Sequence, residues 1–293
     1  MKRRLSIVAV LCAMLGVVGA QAQHFQQISG AVLSQISVGS PWAIWGVNAQ
    51  HQIFRFNPGT HKFDQIAGSL VQVAVGGGNM NQLDAVWGVN QNQQIFQYQN
   101  GVGFSQVAGA LTSISVGAGH GGCYPYEVWG LNQGHQAWRF NNCTGKWEVG
   151  TGSFSSIVSS GTQVWAIGTN FYAVYRFNFS TLTFQQVTGS LSGIAVSGGG
   201  PWGVYAVYPY SSVYQFSPAS QSFFQIPGAL RVIAAGGNEV WGINRSNTLF
   251  KIIPSSQTWM QFPGSYSQVA VGSGGGGVWT IDFSGNVYIF ETP

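Results

Sequence analysis

The titratable residues of this sequence are few and scattered. Its seven acids are Asp64, Asp84, Glu127, Glu148, Glu239, Asp282 and Glu291. General acid–base chemistry needs a close pair of such groups, or one group with a tuned partner. The spacing supplies neither. Glu127 and Glu239 share one position in a sequence repeat, but the two repeats are not neighbours. The five histidines (His24, His51, His61, His120 and His135) contain no H-x-x-x-H pair of the zinc-protease kind. His120 and His135 fall in one repeat with Glu127, where a solvated loop is the preferred reading over a metal site. No acid-rich calcium loop is present. Gly272-x-Gly274-x-x-Gly277 spells a dinucleotide fingerprint, but a strand pattern follows it where a helix is required. The expectation is therefore no enzyme, no metal and no cofactor.

Recognition chemistry is better provided for. Three aromatics follow prolines, as Pro41-Trp42, Pro125-Tyr126 and Pro201-Trp202, and Tyr124 stands beside the second. A proline-set aromatic on a loop is a flat apolar platform. The CH-rich face of a sugar ring can lie on it while neutral polar neighbours bond the hydroxyls. Trp42, Tyr126, Trp202 and Tyr124 are accordingly the candidate ligand-binding residues. The competing reading has the same rings capping strand ends or packing on neighbouring loops.

These residues hang on a repeat. The anchor of a V-W-G-[VI]-N motif recurs, in places loosely, at Trp45, Trp87, Trp129, Trp165, Tyr205, Trp241 and Trp279. The intervals are 42, 42, 36, 40, 36 and 38 residues. After each anchor comes an aromatic-rich strand such as Ile53-Phe54-Arg55-Phe56. A unit aromatic-x-Q-[IVF]-x-G follows, as at Phe63 to Gly68, and then an apolar run such as Leu70 to Val75. Aromatic and β-branched residues alternate with polar ones, turns of Gly, Asn, Pro and Ser separate them, and no window has a helical period. Four short strands in about 40 residues is the signature of a propeller blade.

The predicted fold is all-β: a seven-bladed β-propeller of four-stranded antiparallel blades, with six blades as the alternative. The last repeat stops after its third strand. Its missing unit stands at the N-terminus as Phe25-Gln26-Gln27-Ile28-Ser29-Gly30. That strand is expected to complete the final blade and close the ring, along a seam between Phe25–Ile28 and Val287–Phe290. The anchors are expected to pack between blades. The Asn ending the motif (Asn48, Asn90, Asn132, Asn244) should open the next turn. The proline-set aromatics fall three residues before the anchors of blades one, three and five, in the loop between first and second strands.

Residues 1–22 read as a secretory signal peptide. Lys2, Arg3 and Arg4 precede an apolar run from Leu5 to Gly19, and Ala20-Gln21-Ala22 fits a cleavage site. Residues 23–293 then form one domain, secreted to the exterior or the periplasm. The apolar run is short for a membrane span, and no membrane insertion is expected. Three of the eleven Lys and Arg lie in this leader, so the mature chain keeps eight against seven acids and a formal charge of +1. That balance, without a basic stripe, argues against nucleic acid. Charged residues are 6% of the chain, against about 25% in ordinary domains, so Gln, Asn, Ser, Thr and Gly must carry the surface. Cys123 and Cys143 remain after cleavage, and in a secreted chain the pair suggests one disulfide stiffening the first loop of blade three. The sequons at Asn142, Asn178 and Asn244 matter only in a host that glycosylates.

The motifs V-W-G-V-N, I-F-R-F-N-P-x-T and F-x-Q-I-x-G, clearest at Val47, Asn48, Ile53 to Thr60 and Phe63 to Gly68, resemble those of the tectonin-type β-propeller lectins, a group that includes fish-egg lectins. The resemblance covers essentially the whole mature chain. It implies carbohydrate binding, on a scaffold that in known members often has six blades. The function expected is that of a secreted, monomeric lectin with several metal-independent glycan sites, whose repetition gives avidity on a multivalent surface. The alternatives are a scaffold for surface proteins and, behind it, a glycan hydrolase using an isolated acid such as Glu127.

Overall fold

The computed structural model describes residues 24–76, 84–122, 124–160, 163–170, 172–196, 203–208, 211–272 and 275–291. Every regular element among them is a β-strand. The signal-peptide residues 1–22, Cys123 and the Pro201-Trp202 pair lie outside the described residues. Each sequence repeat folds as an antiparallel meander of strands A to D in chain order. In repeat 1 these are Gln35–Val38, Ile44–Val47, Ile53–Asn57 and Lys62–Ile66. Repeats 1, 2 and 6 are separate four-stranded sheets. Repeats 3, 4 and 5 run together as one eleven-stranded sheet. The strand Lys146–Ser160 serves both as D of repeat 3 and as A of repeat 4. A single parallel bridge, Thr188 to Ser222, joins the outer strands of repeats 4 and 5.

Repeat 7 has three strands of its own, Tyr266–Val271, Val278–Asp282 and Val287–Glu291. Its fourth is the N-terminal strand His24–Ile28. The pairing runs Phe25 to Phe290 and Ile28 to Val287, as the split motif predicts. The A strand of each repeat touches the A strand of the next, and that of repeat 7 touches that of repeat 1. The architecture is an all-β propeller.

The motif residues show why the meanders form. The anchors are buried to 1% exposure or less, and each sits in the core between its own repeat and the next. Trp45 packs on Tyr98 and Phe104, Trp129 on Phe177 and Phe184, and Trp165 on Phe216 and Phe223. Gly46 follows its anchor because the connector leading into strand A lies directly over it. A Cβ there would stand 2.4 Å from the Leu33 Cδ1 atom. Gly88, Gly130 and Gly242 meet Leu70, Leu111 and Leu230 in the same way. Asn48 then turns the chain, its Oδ1 accepting the N–H groups of Gln50 and Gln52 at 3.1 and 2.8 Å. The Asx turn sets His51 in the left-handed region at φ 64°, and the His51 carbonyl accepts the Leu70 N–H of the next connector. Asn90, Asn132 and Asn244 cap their turns likewise.

Candidate functional site

Trp42 lies in the turn between strands A and B of repeat 1 and is 66% exposed. The turn is fastened from beneath. Ser40 bonds Asp84 of repeat 2 through both its N–H and its hydroxyl, and the Trp42 N–H reaches the Ser40 hydroxyl at 3.3 Å. The Trp42 carbonyl accepts from Arg55 Nη2 at 3.2 Å. Arg55 rests over the buried Trp45 indole, 5.4 Å from its ring. An exposed indole on a braced turn, beside a guanidinium, is a platform with a polar rim.

Repeat 3 departs from the expected loop. Strands Ser113–Gly121 and Tyr124–Leu131 extend past the usual end of the hairpin, so Tyr124, Pro125 and Tyr126 belong to strand B. Both rings are engaged within the frame, and neither tyrosine forms a free platform. Tyr126 is half-buried against the core shared with repeat 2. Its hydroxyl accepts from Gln97 Nε2 at 3.0 Å. Burial pushes its phenol above the ordinary range, and the Gln97 bond limits the rise. Tyr124 stacks on the Arg139 guanidinium at 4.0 Å.

Glu127 is wholly buried and Arg139 is 6% exposed. They form a two-pronged pair, Arg139 Nε to Glu127 Oε2 at 3.0 Å and Nη2 to Oε1 at 2.6 Å. Glu127 Oε2 also accepts the Trp129 indole N–H at 3.1 Å. This carboxylate is held in the frame and is not presented to a substrate. His135 lies in the turn beyond the far end of strand B, where its Nδ1 meets the Phe154 carbonyl at 3.2 Å. Glu127 and His135 therefore do not share a site. Among the described residues, no cluster of three or more His, Cys, Asp or Glu could hold a metal.

The sequence reading missed a rule that these contacts reveal. The residue on strand C paired with the anchor is a cation in four repeats: Arg55, Arg139, Arg176 and Lys251. Each lies within 6 Å of its anchor ring: 5.4, 5.9, 5.6 and 5.3 Å. Two residues before the anchor stand Ala43, Glu127, Gln163 and Glu239. Glu239 repeats the role of Glu127, accepting from the Trp241 indole at 3.0 Å and pairing with Lys251. Gln163 accepts from Trp165 at 3.1 Å. The shared position of Glu127 and Glu239 was the visible trace of this rule. Cys143 is exposed in the turn after strand C of repeat 3, its N–H on Asn141 Oδ1 at 2.9 Å.

Repeated tryptophan-anchored sheets with an exposed aromatic on one turn define a tryptophan-anchored β-propeller. The chain belongs to the tectonin family: the tectonin-domain model matches residues 15–177 and again 155–292. No curated protein matches its sequence. Among solved structures, it is similar to the WD40 repeats of RRP9, with TM-score 0.68 and 10% identity over 94% of this chain and 100% of that one. It is similar also to YCF48 bound to D1 peptide, with TM-score 0.67 and 12% identity over 92% of this chain and 96% of that one. YCF48 from Cyanidioschyzon merolae gives TM-score 0.66 and 12% identity over 92% and 98%. At such identity the likeness is one of fold.

Proposed function

We propose that this chain is a secreted glycan-binding protein that works without metal or catalysis. The observation that carries this reading is Trp42: a large, exposed indole on a turn braced by Ser40, Asp84 and Arg55. Membership of the tectonin family supports it. Trp202, at the same place in repeat 5, is proposed as a second platform. Tyr124 and Tyr126 are proposed to shape the neighbouring surface from within the frame. The scaffold is a closed ring of seven blades spanning residues 23–293, with the N-terminal strand completing the last. The pairing of Phe25 with Phe290 and the contact of the first and last A strands support that closure. Residues 1–22 are the leader that exports it. A Cys123–Cys143 bond is proposed to stiffen repeat 3. The protein acts as a monomer on glycoconjugates, and nucleic acid is not its partner.

A glycan array of the mature protein, with Trp42→Ala and Trp202→Ala, tests this. Binding that falls in both variants is expected. Unchanged array binding overturns the site. Binding to a glycoprotein that survives its enzymatic deglycosylation favours a protein partner instead.

A further inference from the structure

The four anchor-stacked cations differ in what surrounds them. Each has a near neighbour two residues before the anchor and another directly across on strand D. For Arg55 these are Ala43 and Asp64, for Arg139 Glu127 and Glu148, and for Lys251 Glu239 and Met260. For Arg176 they are Gln163 and Gln185. Among these four cations, Arg176 alone has an amide in both places and an acid in neither.

Trp165, Arg176 and Gln185 are partners in successive strand pairs, so their side chains share one face of the sheet. That face looks to repeat 5, because Trp165 packs on Phe216 and Phe223. A cleft of about 400 Å³ opens there, lined by Arg176, Asn178, Phe179, Gln185, Thr188 and Gln221 among others. No acidic side chain is among its lining residues. Asn178 donates to Gln185 Oε1 at 3.3 Å, which leaves the Gln185 NH2 as a donor toward the cleft. Among the described residues, no protein group accepts a hydrogen bond from the Arg176 guanidinium. The volume lies within the range of about 300–1,000 Å³ of small-molecule sites. A guanidinium matches a carboxylate in two-pronged fashion, and amides match hydroxyls.

We propose that this cleft is an acidic-sugar subsite: Arg176 takes the carboxylate of a uronic acid residue, and Gln185 and Gln221 bond its hydroxyls. The proposal rests on the glycan-binding reading and names a ligand class that Trp42 alone does not select. Repeats 1 and 3 carry an acid, Asp64 and Glu148, at the register position of Gln185, so the subsite belongs to repeat 4.

The test is calorimetric titration of the mature protein with a galacturonic acid oligomer and with its methyl ester. The acid is expected to bind and the ester to bind about tenfold more weakly or worse, the size of one lost charge-assisted pair. Arg176→Gln should weaken the acid by a similar factor. Gln185→Glu should do the same, because it rebuilds the acid neighbour that Arg55 has in Asp64. A thermal melt of each variant checks the fold. Equal affinity for acid and ester, or an unchanged affinity in Q185E, overturns the subsite. Acetate or sulfate binding as well as the oligomer would show that the cleft reads charge alone and overturn the sugar assignment. Neutral glycans binding normally while acid and ester do not differ would remove only this subsite. No binding to any glycan would remove the broader reading with it.

Discussion

The indole of Trp279 meets the ring of Phe56 edge-on, with centroids 4.8 Å apart. Trp279 anchors the last repeat and Phe56 belongs to the first. The same contact carries Trp87 to Phe140, Trp129 to Phe177 and Trp241 to Phe290. One packing rule thus runs through the repeats and across the meeting of the two chain ends. Stacked repeats derive their stability from such neighbour interfaces, so the N-terminal strand is a structural member and not a tail.

Phe25 makes this measurable. Its ring touches Trp241, Tyr266 and Phe290 at 5.9, 5.5 and 5.2 Å, and so joins repeats 6 and 7. Phe25→Ala should cost about 3 kcal/mol, typical of a lost core aromatic. Removing residues 24–30 should leave the edge of Val287–Glu291 open and promote aggregation. Urea denaturation and light scattering check both. An unchanged midpoint in F25A would show that the strand is dispensable.

The buried pair of Glu127 and Arg139 sets a contrast with its exposed counterpart. Glu127→Gln leaves a buried guanidinium without its counter-charge and should cost about 3–5 kcal/mol. Glu239→Gln removes a half-exposed partner of Lys251, at 36% and 23% side-chain exposure, and should cost about 1 kcal/mol or less. The two variants belong in one denaturation series. Equal costs would mean that burial does not decide the difference.

Much of this architecture was legible in the residues. The V-W-G-V-N motif carries its own reasons: an aromatic to fill the gap between sheets, a glycine to admit Leu33, an asparagine to turn the chain. The split repeat announced the pairing of Phe25 with Phe290. Tyr124 and Tyr126 were misplaced because proline beside aromatic suggests a loop, whereas the repeat 3 hairpin continues pairing to Gly121 and Tyr124. The burial of Glu127 and the cleft at Arg176 depend on which side chains line up across three strands. Spacing along one strand is silent on that until the register is known.

Trp42 and Tyr126 should separate binding from stability. Trp42→Ala removes an exposed ring and should change stability by about 0.5 kcal/mol or less, while glycan binding falls. Tyr126→Ala removes a half-buried ring and the acceptor for Gln97, and should cost about 2 kcal/mol. Thermal melts beside array binding decide the matter. A large loss of stability in W42A would make that indole a packing residue.

Tyr205 gives the final prediction, in its pH dependence. It replaces tryptophan as the anchor of repeat 5, is fully buried, and among the described residues its hydroxyl has no hydrogen-bond partner. Burial pushes its pKa up to about 12 from 10.0. Below about pH 10 both folded and unfolded chains keep the proton, and the fold has its full stability. Between about pH 10 and 12 the unfolded chain loses the proton first, so stability falls as pH rises; above about 12 this loss is complete. Two units correspond to about 2–3 kcal/mol. Tyr205→Phe deletes the ionisation and no hydrogen bond, so at pH 7 it should be as stable as the parent or more so. Its advantage should then widen between pH 10 and 12. The raised phenols of Tyr126, Tyr266 and Tyr288 are present in both proteins and cancel in the comparison. Urea midpoints at pH 8 and 11 measure the difference. Parallel loss in parent and variant would mean that the Tyr205 hydroxyl ionises as freely in the fold as in the unfolded chain.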